Sequence, residues 1–166
     1  VYKRQLRNVA VPTEEKHPID GFVRQRLATA GLTPSEPATP KALVRRLHYD
    51  LIGLPPRPEV VLAFGRNPTS DVYLKLVDEL LASPSYGERW ARHWMDIWRY
   101  TDWYGLGAQL RNSQKHIWQW RDWIVESRNA DKGYERRLME MLAGDEIVPF
   151  DPGSLRATGF LVRNRN

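Results

Sequence analysis

Between Tyr86 and Gly105 the chain reads YGERWARHWMDIWRYTDWYG, a stretch with four of its seven tryptophans, a histidine, three arginines and two aspartates. Side chains of these types support three chemistries. An imidazole oriented by a carboxylate carries protons or ligates a metal. Converging carboxylates hydrolyse glycosidic bonds, and exposed indole and guanidinium groups anchor partners. At 100° per residue on a helix, Trp90, Trp94 and Trp98 share a face with Tyr86, Ile97 and Thr101, and such a stripe reads first as the seam of a core. Along its polar flank Arg89, His93, Asp96 and Tyr100 recur three or four residues apart, close enough to touch. That edge is either a surface ion-pair network or the setting in which Asp96 orients His93 as a proton carrier or ligand.

The segment that follows, TDWYGLGAQLRNSQKHIWQW, puts Asp102 at the helix exit and Trp103 with Tyr104 at the tip of a glycine-bearing loop, a common way to present binding residues. Trp118, Trp120 and Trp123 then point in different directions on the next helix, so at least one must leave the core face. Asp145 and Glu146 follow Gly144 in LAGDEI. As an acid/base pair they need a cleft and unequal environments. No H-x-x-x-H or G-x-S-x-G pattern occurs, and GLG lacks the strand–helix context of a nucleotide loop. Without cysteine, disulfides, thiolate metal sites and C-x-x-C-H haem attachment are excluded for this segment. We expect no metal site here and no catalysis by the segment alone.

Helices must position these residues. HPIDGFVRQRLATAG starts at Pro18 and stops at Gly31; TPKALVRRLHYDLIGLPP is capped by Thr39 and ends at Gly53. PEVVLAF is a shorter helix, and SDVYLKLVDELLAS places Val72, Leu76, Val77, Leu80 and Leu81 on one face. The tryptophan stretch is the fifth helix, SQKHIWQWRDWIVESRN the sixth, and GYERRLMEMLAG the seventh, closed by Gly144. LRATGFLVRN adds a last short turn. No stretch alternates with the period of a strand. The expectation is an all-α fold, a single compact domain of about six to eight short helices over residues 17–166, preceded by an extended arm over residues 1–16. Trp90, Trp94 and Ile97 should be buried against the Leu76–Leu81 face and the Trp120 helix.

The 25 basic and 20 acidic residues give a net charge of +5, with 19 of the cations arginine. These charges are spread along all the helices, which weakens a nucleic-acid reading, and no apolar run is long enough to span a membrane. The opening residues lack the apolar middle of a signal peptide. A start without methionine and a polar end suggest a piece of a longer protein.

The order of the segments HPIDGFVRQRLATAGLTPS, LVRRLHYDLIGLPPRPEVVLAF, YLKLVDELLASPSYGERWARHWMDIWRYTD, WRDWIVESRNADKGY, LAGDEI and ATGFLVRN resembles the planctomycete-type cytochrome-associated domain, a domain of unknown function in large exported proteins. The likeness runs from about Lys16 to Asn164. It implies a secreted, periplasmic or extracellular setting beside c-type cytochrome domains, and in similar chains a C-x-x-C-H motif follows the ATGFL segment. Family motifs map onto Arg92, His93, Trp94, Asp96, Arg99, Tyr100 and Asp102, onto Arg121 and Asp122, and onto Gly144, Asp145 and Glu146. Trp98 stands where relatives often have a small residue, and Gly133 where proline is usual.

The resemblance thus implies a helical, redox-linked module, the N-terminal part of a longer protein, that packs on a downstream haem-bearing segment or a cytochrome c domain. No cofactor is expected in this segment; haem c would sit in the full-length protein or a partner. The rival reading is a polysaccharide-binding or polysaccharide-degrading module using surface aromatics with Asp96, Asp102, Asp145 or Glu146. A third is anionic-polymer binding with steep salt dependence. On all readings the candidate contact residues are Arg89, His93, Asp96, Arg99, Tyr100, Asp102, Trp103, Arg121, Asp122, Asp145 and Glu146.

Overall fold

Proline opens many of the helices because its missing N–H costs nothing in a first turn. The computed structural model describes residues 10–12, 17–104, 112–113 and 116–163. In chain order these form α1 (Pro18–Thr29), α2 (Pro40–Leu51), α3 (Pro58–Arg66), α4 (Ser70–Leu81), α5 (Pro84–Ile97), β1 (Trp103–Tyr104), β2 (Asn112–Ser113), α6 (Trp118–Asn129), α7 (Tyr134–Ile147), α8 (Pro152–Ala157) and α9 (Gly159–Arg163). The fold is all-α, with β1 and β2 only a two-residue antiparallel ladder that pairs Trp103 with Ser113. Side-chain oxygens of Thr39, Thr69, Ser83 and Asp151 accept from first-turn amides and fix where α2, α4, α5 and α8 begin. Gly31 and Gly53 follow α1 and α2 with φ of 67° and 71°, the left-handed turn that ends a helix.

The chain divides into two units, Val1–Ala38 and Thr39–Asn166. In the first, Gly21 of α1 lies against Pro12, where an added Cβ would stand 3.1 Å from the proline. Ile19 and Val23 of α1 are exposed. Apart from residues 10–12, the arm expected over residues 1–16 lies outside the described residues.

The second unit carries two apolar centres. Val44, Leu47, Phe64 and Leu80 are buried on α2, α3 and α4, with the Phe64 and Tyr73 rings 6.2 Å apart. The larger core joins Ala91 and Trp98 with Ile117, Trp120, Trp123, Ile124, Met141 and Ala157. The expected burial of Trp90, Trp94 and Ile97 needs correction. Ile97 is 66% exposed, Trp90 and Trp94 are half-buried, and Trp98 is buried. Nor does the Leu76–Leu81 face cover them: α4 packs on α2, and Leu81 is exposed.

The reason is that the face α5 turns to α6 is centred on its smallest residues, Gly87 and Ala91, both buried. Gly87 N–H donates to Asn129 Oδ1 at 2.8 Å, and Asn129 Nδ2 donates to the Pro84 carbonyl at 3.1 Å. Ile97 stands roughly 100° around the helix from that centre line, whereas Trp98 lies close to it. Trp120 is the hub of this core, with Tyr100 at 5.7 Å on one side and Phe160 at 5.9 Å on the other.

One further boundary differs from expectation. The sixth helix begins at Trp118 rather than in the SQKH segment. The seventh breaks at Ala143 (φ −147°, ψ 31°), beside the expected stop at Gly144, and a short helical piece carries α7 on to Ile147. A Cβ at Gly144 would meet the Ser154 carbonyl at 2.5 Å, so the glycine admits α8 onto α7. Gly159 plays the same part for α9, where a Cβ would lie 2.6 Å from that of Trp120.

Urea unfolding should separate these roles. Trp120→Ala is expected to cost about 3 to 5 kcal/mol and Ile97→Ala no more than about 0.5 kcal/mol. Comparable losses would mean that α5 is rotated from the face described. Gly133, with φ −54° and open space where a Cβ would stand, already fits proline. Gly133→Pro should add about 0.4 to 1 kcal/mol, and a net loss would show that its conformation differs.

Candidate functional site

The end of α5 decides which polar groups meet. Trp98 caps the helix, Arg99 turns left-handed at φ 57°, and Tyr100 N–H bonds back to the Met95 carbonyl at 2.8 Å. This is a helix-terminating turn that ordinarily takes glycine, here formed by an arginine. It returns the Tyr100 ring to Trp120, and the Tyr100 hydroxyl donates to Asp102 Oδ1. Burial, then that hydrogen bond and the Asp102 charge, push the phenol well above its ordinary value of 10.0.

Across from this turn, Arg121 Nε donates to Asp122 Oδ1 at 2.9 Å in the first half of α6. That bond raises the Arg121 guanidinium further, against a smaller opposing effect of burial. The charges of Arg121 and Asp122 act on Tyr100, and those of Tyr100 and Asp102 act on Arg121. Four residues singled out in the sequence therefore share one electrostatic neighbourhood, drawn from the exit of α5 and the start of α6. Trp118 stands three and four residues before Arg121 and Asp122, on the same side of α6, and is 47% exposed. It is the tryptophan that leaves the core face; Trp120 and Trp123 stay inside.

A family model matches residues 18–166 and is that of PSCyt2, a protein of unknown function (DUF1549). The chain belongs to the PSCyt2 family. The family is associated with planctomycete cytochrome proteins, and its function is unknown. No curated protein and no solved structure matches the chain. This PSCyt2 chain has no cysteine and so no C-x-x-C-H haem attachment of its own. Among its described residues no three His, Asp or Glu side chains group to hold a metal ion, and no helix is long and apolar enough to cross a membrane.

The other candidates take separate places. The stem of Arg89 lies against Gly53, where a Cβ would sit 2.8 Å from Arg89 Cδ, so this arginine covers the end of α2. His93 is exposed with its ring 5.5 Å from Trp90, and Asp96 is exposed one turn on. No hydrogen bond or ion pair among the described residues joins His93 to Asp96, so the expected orientation of the imidazole is not formed. Arg99 is exposed at the turn. Trp103 belongs to β1, and the glycine-rich tip at 105–111 lies outside the described residues. Asp145 and Glu146 are exposed in the last turn of α7.

Sequence reasoning missed the charges of α7. Glu140 is buried, and accepts from Lys132 Nζ at 2.6 Å and Arg136 Nε at 2.7 Å. Its four-residue spacing from Arg136 was the available signal. Arg137 is 3% exposed, with its guanidinium carbon 5.0 Å from the Trp94 ring centre. The adjacent arginines of GYERRLMEM carry no sign that one turns inward.

Two titrations follow. Tyrosinate absorbance should show one residue ionising well above 10.0, a late step absent from Tyr100→Phe; an unchanged profile would place Tyr100 in water. At Glu140, burial raises the carboxyl, but the two hydrogen bonds outweigh it and hold it below 4.5. A depressed carboxylate stabilises the fold above its unfolded value, and that contribution is lost as pH falls through the folded one. Glu140→Gln should cost about 1 to 3 kcal/mol at neutral pH, its partners being partly hydrated, and should flatten the acid limb below that value. An unaltered acid limb would show that the carboxylate is not paired in solution.

Proposed function

We propose that this chain is a non-catalytic, helical docking module of an exported protein associated with c-type cytochromes, and that its partner is a haem-bearing segment or cytochrome c domain. The observation that carries the reading is the exposed Trp118 beside the Arg121–Asp122 pair and the Tyr100–Asp102 turn. Tryptophan, tyrosine and arginine dominate the energetics of protein interfaces because each offers wide contact area with a polar handle. Here all three come from the exit of α5 and the start of α6, which pack on the Trp120 core. Family membership supports a cytochrome as the partner, and the absence of cysteine puts any covalent haem outside this chain. Export to the periplasm or beyond agrees with a c-type cytochrome partner, and His93 of α5 is an exposed ring.

The test is calorimetric titration of the chain with the cytochrome c domain of the longer protein. Trp118→Ala and Arg121→Ala should each weaken binding by tenfold or more, about 1.4 kcal/mol, while stability stays within about 1 kcal/mol. His93→Ala should also leave stability within about 1 kcal/mol. Wild-type affinity in both interface variants would remove this face from the contact. Retention on a polysaccharide matrix that is lost in Trp118→Ala would favour the glycan-binding reading instead.

A further inference from the structure

One cluster of the second unit is short of negative charge. Arg137 of α7 is 3% exposed, and its Nε and Nη1 are buried with no acceptor among the described residues. Arg128 of α6, partly buried, has its Nε in the same condition. Both guanidinium groups lie against Trp94 of α5, at 5.0 Å for Arg137 and 6.0 Å for Arg128 from the ring centre. Tyr134 packs beside Trp94, the ring centres 5.4 Å apart, and lies 5.9 Å from the same Arg137 guanidinium. Three helices thus bring two cations to the Trp94 ring, with Tyr134 packed beside it.

A guanidinium keeps its charge at any ordinary pH, so it cannot escape burial by losing a proton. The ring faces attract that charge but offer no lone pair to the N–H donors. Arg128 repels Arg137, whose guanidinium is held below its ordinary value first by burial and then by that charge; Asp131 favours the charge only through space. The start of α7 adds to the imbalance. Gly133 supplies no side-chain cap, and a helix N-terminus carries partial positive charge. The side chain of a residue in the first turns of a helix leans back toward that end. Buried cations of this kind are completed by an anion with oxygens to accept their hydrogen bonds.

We propose that Arg137 and Arg128, both against Trp94, form a binding site for a carboxylate group. The two oxygens of a carboxylate match the paired donors of a guanidinium. Tyr134, half exposed as the first residue of α7, is the side chain whose rotation admits it. The site is independent of the Trp118 face and does not rest on the cytochrome reading.

The experiment follows the melting temperature and tryptophan fluorescence of the whole chain during titration with acetate and with N-acetyl-glutamate amide, against chloride at equal ionic strength. Both carboxylates, or the blocked glutamate alone, should give a saturable rise in melting temperature and a fluorescence change that chloride does not produce. A response to acetate identifies a site open to small acids, and a response confined to the blocked glutamate identifies one for an acidic side chain. Arg137→Met should fold at least as stably without carboxylate, since it removes a buried unpaired charge, yet lose the response. Arg128→Met, at a partly exposed position, should bind about tenfold more weakly, and Arg137→Lys should do the same by losing the planar fork. The proposal is overturned if chloride matches the carboxylates, if neither carboxylate gives a saturable response, or if Arg128→Met binds as wild type does.

Discussion

The close approach of α5 and α6 is the constraint from which the rest of the second unit follows. It depends on two small residues, Gly87 and Ala91, and on one amide, Asn129, which accepts from the Gly87 N–H and donates to the Pro84 carbonyl. A side chain at position 87 would occupy the space of that amide: an added Cβ would stand 2.4 Å from Asn129 Oδ1. With the start of α5 held against the end of α6, the end of α5 necessarily meets the start of α6. That is where Trp98, Tyr100 and Trp120 interlock, and where Arg121 and Asp122 come within electrostatic reach of Tyr100 and Asp102. The polar neighbourhood is thus a by-product of antiparallel helix packing.

The same constraint explains what could be read beforehand. Helix ends were legible where a proline, a hydroxyl cap or a glycine acts locally, as at Pro18, at Pro40 with Thr39, and at Gly31 and Gly53; the start of α6, which has no side-chain cap, was not. The buried side of α5 was not, because hydrophobicity points to tryptophan and isoleucine, whereas close packing selects the positions where a partner backbone can come near. Glycine and alanine carry no apolar signal, so the seam appeared rotated toward Ile97. Gly144 adjoins the break in α7 that its type suggests, but its second part, admitting the Ser154 carbonyl, has no signal in the sequence.

The candidate site divides in the same way. Tyr100 and Asp102 are two residues apart, and Arg121 and Asp122 are adjacent, so each pair was within local reach. Their meeting needed the tertiary fold. His93 and Asp96 had suitable spacing, but the imidazole rests on Trp90 rather than turning to the carboxylate, which shows that three-residue spacing permits contact without compelling it. Arg137 was the least legible. Nothing in a run of two arginines tells which is hydrated, because the answer depends on Trp94 of another helix.

The α5–α6 hairpin also has a consequence for the order in which the chain assembles. The bond from Gly87 to Asn129 spans 42 residues, whereas the β1–β2 ladder joins Trp103 to Ser113 over a far shorter interval. Loop-closure entropy grows with the length enclosed, so the ladder is the less costly contact to make first. Once it is closed, the two helices extend from a common end, and each further contact adds little new loop. The hairpin can therefore zip from the Trp120 end toward Pro84, with the Asn129 amide as the last tooth and the first to part on unfolding.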